Sequence, residues 1–196
     1  MYMVWVRRGN SLNKMTKQVT GSTLGSLKWL WLTVFVLAAD LLSKKLAQQW
    51  LDYGVPHSLF SGLDMTLLYN TGAAFSFLSD AGGWQRWLFV VIAVLISGVL
   101  VVWLKRTDKR QWWLGMGLAL ILGGALGNLH DRILLGYVVD FISVYYQTSF
   151  FPAFNLADSA ITLGAAIMII DMLFLEKQNE DANGEPEEYP DGEKHD

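Results

Sequence analysis

The sequence predicts an all-α membrane protein: four transmembrane helices carrying a small extracytoplasmic, β-containing platform in the first outward loop. Three observations support this. Hydrophobic residues make up 53% of the 196 and mean hydropathy is +0.30, an excess that a soluble domain of this size does not bury. Four runs approach the roughly 20 residues that a hydrocarbon core demands. Tryptophans bracket those runs where an interfacial belt should lie, and basic residues crowd alternate loops.

Residues 1–26 read as a basic cytoplasmic extension, in which Met15 is a possible second start. A cleavable signal peptide is not expected, because the apolar run that follows is too long and no small-x-small site closes it before Asp40. The spans are expected at Leu27–Trp50, Trp87–Leu104, Trp113–Leu135 and Phe154–Leu175, making 27–175 one four-helix domain. Arg7, Arg8, Lys14, Lys17 and Lys28 precede the first span, and Lys105, Arg106, Lys109 and Arg110 fill the second loop. Loop one, 51–86, has Arg86 alone and loop three, 136–153, has neither Lys nor Arg. Both termini are therefore expected in the cytoplasm and both polar loops outside.

Loop one is too long for a connector, and Met65–Tyr69 has strand character, so it is expected to fold on the membrane surface. Gly123 and Gly127 stand at GxxxG spacing, which permits close helix contact. Residues 176–196 hold nine Asp or Glu against Lys177 and Lys194, with Pro186 and Pro190, and read as a disordered acidic cytoplasmic tail. The chain contains no cysteine, which excludes disulfides, thiolate metal sites and a cysteine nucleophile. Neither a metal, another cofactor nor a nucleic-acid partner is expected.

Ionisable groups inside spans are expensive, so their depth is informative. Asp40 and Lys44 fall in the outer half of the first span, and Asn128, His130, Asp131 and Arg132 near the outer end of the third. Asn155 and Asp158 stand at the outer start of the fourth, with Asn70 in loop one and Asp140 in loop three. Separate pieces of chain thus deliver carboxylates, amides and a guanidinium to one side.

Several of these have a plain structural reading. Asp40 and Lys44, at i and i+4, either neutralise each other or support a site. Asn155 and Asp158 have the spacing of an N-cap and its N3 partner, which leaves a catalytic role for Asp158 open. Asn128 and Arg132 share a face and are read as site residues, the alternative being helix pairing and snorkelling. His130 is read as an interfacial histidine, and Asp131 as a solvated or helix-pairing charge directed away from Asn128. Asp140, in Val138-Val139-Asp140-Phe141, is embedded so that its pKa should rise, and beside Asp158 it would share one proton.

The ordered motifs Asp40-Leu-Leu-Ser-Lys44, Asn70-Thr-Gly-Ala-Ala-Phe75, Gly124-Ala-Leu-Gly-Asn128-Leu-His-Asp-Arg132, Val138-Val-Asp140-Phe141 and Phe154-Asn155-Leu-Ala-Asp158-Ser159 resemble those of the lipoprotein signal peptidases, or signal peptidase II. The resemblance implies a bacterial inner-membrane aspartic protease with Asp140 and Asp158 as its catalytic dyad. Asn70, Asn128, Arg132 and Asn155 would surround the dyad, supported by Asp40 and Lys44. It further implies a lipid-modified prolipoprotein as substrate, cut before its diacylglyceryl cysteine near the outer (periplasmic) face, with membrane lipid alongside. A monomer is expected. In this reading the ionised aspartate takes a proton from water while the other polarises the scissile carbonyl; Asp158, at a helix amino terminus, is the expected base. Two alternatives compete: a small proton-coupled exporter using Asp40 and Asp158 as a relay, and a noncatalytic scaffold.

Overall fold

The computed structural model describes residues 26–72 and 83–175. The amino-terminal extension to residue 25, Ala73, Ala74 and Phe75 of the second motif, and the acidic tail from residue 176 lie outside the described residues.

A 3₁₀ turn, Leu27–Trp29, leads into helix α1, Leu30–Trp50. Strands β1 (His57–Phe60) and β2 (Leu63–Asn70) follow, then helices α2 (Trp84–Arg106) and α3 (Trp112–Leu134). Strands β3 (Val138–Tyr146) and β4 (Ser149–Phe150) precede helix α4 (Leu156–Ile170), which continues as a π-helical turn, Asp171–Leu175. Trp84–Arg106, Trp112–Leu134 and Leu156–Leu173 are each long and apolar enough to cross a membrane. Helix α1, with 21 residues, is similar in length, but every 18-residue stretch of it contains Asp40, Lys44 and Lys45. Of these, Asp40 and Lys44 are buried within the protein.

Helix α3 is the centre against which α1, α2 and α4 pack. Its glycines make this possible. A Cβ on Gly123 would stand 2.7 Å from that of Val36, and one on Gly127 would collide with the Asp40 carboxylate, so the expected GxxxG face does lie on α1. Gly117 and Gly124 serve α4: a Cβ on Gly117 would approach Met168 Cγ to 2.8 Å, and one on Gly124 would meet the Ala157 carbonyl. On the α2 side, Leu100 and Leu104 pack against Leu118 and Leu122.

The β-containing platform expected in loop one is present as β1 and β2, but it does not end there. Loop three is not a bare connector: β3 and β4 join β1 and β2 in a four-stranded antiparallel sheet of order β1-β2-β3-β4. The β-branched and aromatic side chains of Val138, Val139, Ile142, Val144, Tyr145 and Tyr146 suit a pleated ladder. Strand pairing also begins before α4, since Phe154 bridges to Ile142, which delays the helix to Leu156. Gly136, at φ +89°, turns the chain from α3 into β3. Arg86, at the start of α2, donates from Nε to the Arg132 carbonyl (2.6 Å) and from Nη2 to that of Ile133 (2.5 Å), serving otherwise unpaired carbonyls at the α3 terminus.

Candidate active site

The amino end of α4 meets the sheet beside the carboxyl ends of α1 and α3. A helix start leaves free amides, and α4 satisfies two of them reciprocally. Asp158 N–H donates to Asn155 Oδ1 (2.9 Å) and Asn155 N–H donates to Asp158 Oδ2 (3.2 Å). The expected cap is therefore present. Asn155 is also fully buried, and its side-chain nitrogen reaches away from the helix to Asp140 Oδ1 at 2.7 Å. The same nitrogen lies 3.2 Å from Val139 O and 3.2 Å from Asn128 Oδ1.

Asp140 is buried in the middle of β3. In the β2–β3 register Asn70 faces Val138 and Leu68 faces Asp140, so Asn70 and Asp140 are diagonal neighbours on one sheet face. Asn70 Nδ2 accordingly donates to Asp140 Oδ2 at 3.0 Å, while its own Oδ1 accepts from Gly72 N–H at 2.8 Å, fixing the amide's orientation. Burial pushes the Asp140 carboxyl up to about 6. The Asn70 hydrogen bond opposes that rise, the charge of Asp158 adds to it, and Asn155 and Lys44 oppose it.

Asp158 is only partly buried. Its Oδ1 accepts from Asn128 Nδ2 at 2.7 Å. Each of the four oxygens on the two aspartates thus has an amide donor, and Asn155 touches both carboxyls. Beyond Asp158 an open groove of about 500 Å³ runs along α4, lined by Phe154, Ser159, Thr162, Leu163 and Ala166.

Behind this layer, Lys44 Nζ donates to Asn128 Oδ1 (3.0 Å) and pairs with Asp40 (2.7 Å) and Asp131 (2.9 Å). Asp40 Oδ1 accepts the Ala157 N–H of α4 at 2.9 Å. Asp40 and Lys44 therefore neutralise each other and support the site at once.

Two positions differ from expectation. Asp131 is not solvated; it is buried and bonded across to α1, the helix-pairing alternative. Nor is it turned away from Asn128, because residues three apart on a helix are surface neighbours, and both reach Lys44. Arg132 stands at the margin: Nη1 donates to the Asn128 carbonyl (3.3 Å) and the guanidinium lies 5.2 Å from the centre of the Phe89 ring. His130 is exposed, with Nδ1 3.5 Å from Asp131 Oδ1.

Sequence reasoning also passed over Arg86, whose signal was its solitude in a loop otherwise without Lys or Arg. What the arrangement offers chemically is a buried carboxyl with a raised pKa beside a more open carboxylate, the pattern by which one acid and one base coexist near neutrality.

Comparison with known proteins agrees with this chemistry. Residues 32–174 match the family model for signal peptidase (SPase) II. A lipoprotein signal peptidase of Pseudomonas aeruginosa is 56% identical over 165 residues, covering 82% of this chain and 96% of the relative. One from Acinetobacter baumannii is 57% identical over 153 residues, covering 78% and 87%. A solved structure described as a bacterial membrane enzyme, determined in meso at 1.9 Å resolution, superposes with a TM-score of 0.66 at 32% identity over 75% of this chain and 93% of that one. A second, at 2.3 Å, gives 0.67 at 29% identity over 83% and 94%.

Proposed function

The chain belongs to the signal peptidase II family, and from that premise we propose that Asp140 and Asp158 are the pair that hydrolyses its substrate. The protein is a multi-pass membrane protease, an aspartic-type endopeptidase that removes signal peptides from prolipoproteins. The observation that supports the dyad is Asn155: one buried residue donates its side-chain amide to Asp140 and its backbone amide to Asp158.

In the proposed reaction the Asp158 carboxylate removes a proton from water, and the resulting hydroxide adds to the scissile carbonyl carbon. Protonated Asp140 hydrogen-bonds the carbonyl oxygen and transfers its proton as that oxygen gains charge. Collapse of the tetrahedral intermediate breaks the C–N bond: the proton held on Asp158 passes to the leaving amine, and as the C=O re-forms one gem-diol hydroxyl returns its proton to Asp140, restoring the starting pair. Asp158 is assigned as base because α4's amino terminus favours a negative charge there by up to about 1 kcal/mol and because it is the less buried of the two, open to water.

The substrate is a prolipoprotein carrying diacylglycerol on the cysteine after the cut. It reaches the dyad from the bilayer along the α4 groove, whose apolar residues Leu163 and Ala166 suit lipid-embedded chain while Ser159 and Thr162 stand nearer Asp158. Helix α1 forms the fourth span: Asp40 and Lys44 turn inward, and exposed Lys45, in the last turns of the helix, reaches its ammonium to the interface. Both termini are cytoplasmic, and the sheet and dyad lie near the outer face of the bacterial inner membrane, where water is available. The working unit in this proposal is the monomer. The one-sided gathering of polar groups does not suit an exporter's central relay.

The test is incubation of purified protein with diacylglyceryl-modified and unmodified forms of one prolipoprotein. Cleavage confined to the modified form is expected; equal cleavage of both would remove lipid recognition from the account.

A further inference from the structure

Asp131 is used by none of the steps above, yet it is buried beside them. Its Oδ2 faces Lys44 Nζ at 2.9 Å and also accepts the Val139 N–H at 3.2 Å. Val139 immediately precedes Asp140 in β3. Lys44 in turn donates to Asn128 Oδ1, and Asn128 Nδ2 donates to Asp158. A lysine ammonium only donates. Together with Asn155 Nδ2, which donates to the same oxygen at 3.2 Å, it dictates which end of the Asn128 amide is presented to Asp158. Rotated by half a turn, Asn128 would set its oxygen against the Asp158 carboxylate and its NH₂ against an ammonium, two unfavourable contacts at once.

We propose that Asp131 is a positioning residue for the reaction: a single carboxyl oxygen holds the backbone next to Asp140 and the ammonium that orients Asn128 on Asp158. The inference rests on the dyad reading given above. The bonds form a closed circuit, running from Asp140 through Val139, Asp131, Lys44 and Asn128 to Asp158 and back through Asn155. The formal charge in the buried group also needs a reason. Asp40 already pairs with Lys44 at 2.7 Å, so Asp131 adds a second buried carboxylate to one ammonium. Buried ion pairs are poor contributors to stability. An apolar side chain could fill the space at less cost, but it would grip neither Lys44 nor β3.

The experiment is steady-state cleavage of a diacylglyceryl-modified substrate by full-length Asp131→Asn, Asn128→Ala and the double variant, with Asp158→Asn in parallel and thermal unfolding of each. Asp131→Asn retains one oxygen acceptor but loses the charge on Lys44. Its kcat is expected to fall about 100-fold, the effect of a displacement on the order of 1 Å in catalytic groups, with KM changed less than about twofold. Added to Asn128→Ala, the same substitution should cost about tenfold more rather than the full factor of about 100, since the arm through Lys44 is already cut while the arm through Val139 remains. Wild-type kcat in Asp131→Asn, or a full multiplicative loss in the double variant, would overturn the proposal. A lowered unfolding temperature with unchanged kcat likewise assigns Asp131 to stability alone. If Asp131→Asn does not insert, Asp131→Glu keeps the ion pair but cannot meet both partners at their present distances; a reduced kcat at unchanged KM is expected, and wild-type kcat refutes. Turnover by Asp158→Asn would remove the dyad itself, whatever Asp131 does.

Discussion

Helices α2 and α3 are each 23 residues long, yet they are built on opposite rules. The more apolar of the two, α2, is the less buried: 17% of its membrane-length window lies inside the protein, against 61% for α3. Val91, Leu95, Val99 and Val102 of α2 are exposed, whereas the buried positions of α3 include Gly117, Gly124, Gly127, Asn128 and Asp131. When lipid is the solvent, apolar surface gains nothing by turning inward, so close packing and hydrogen bonds decide which face is buried. Small residues and polar residues then mark the interior, and the interior marks the site.

The strongest way to break this contrast is at Gly127. A valine there must displace the Asp40 carboxylate, and overpacking together with loss of a buried pair should cost about 3 kcal/mol or more. A large fall in thermal unfolding temperature in detergent, with loss of cleavage, is expected; near-normal stability would mean that α1 and α3 are less tightly apposed than described.

A smaller and more selective effect is expected at Asn70, which touches Asp140 from the sheet. Asp140 titrates at about 6, above its ordinary 3.8, so the proton needed on the acid is present below that pH and is lost as pH rises through it. kcat/KM should therefore fall on the alkaline side with an apparent value near 6. The same sign applies to folding: the stabilisation from protonating Asp140 is full below 3.8 and disappears as pH climbs through about 6. Because the Asn70 bond favours the ionised form, Asn70→Ala should move the alkaline limb to higher pH and lower the maximal rate by about tenfold, the worth of one hydrogen bond to a charged group. A limb that stays in place or moves to lower pH would separate Asn70 from the titration.

The smallest effect is expected on the other helix. A Cβ on Gly98 of α2 meets nothing within 4 Å, so Gly98→Val should leave cleavage and unfolding temperature within error of wild type. A marked loss of activity would show that the outer face of α2 takes part in function.

Much of this was legible in the residues themselves. The four helices lie within a few positions of the expected runs, and three of them are long and apolar enough to cross a membrane, because length and hydropathy are set by bilayer thickness. Asp140, Asp158, Asn70, Asn128 and Asn155 converged from separate motifs, since polar groups that share one depth have few other places to go. Less visible was β3. Its strand state depends on pairing with β2, far away in sequence. Asp131 is less legible because adjacent helix faces overlap: the i, i+3 spacing puts it beside Asn128, and both reach Lys44. Arg132 shares Asn128's face as expected, but its hydrogen bond goes to a backbone carbonyl, a partner that residue types do not announce.

The dyad itself is tested most directly by turnover of one diacylglyceryl-modified prolipoprotein by purified, membrane-inserted Asp140→Asn and Asp158→Asn, each nearly isosteric with the wild-type side chain. The account predicts that both single variants lose cleavage by about 1,000-fold or more, as expected when either half of an acid–base pair that acts as a unit is removed. Substantial turnover by either variant, in protein that unfolds at the wild-type temperature, would contradict it.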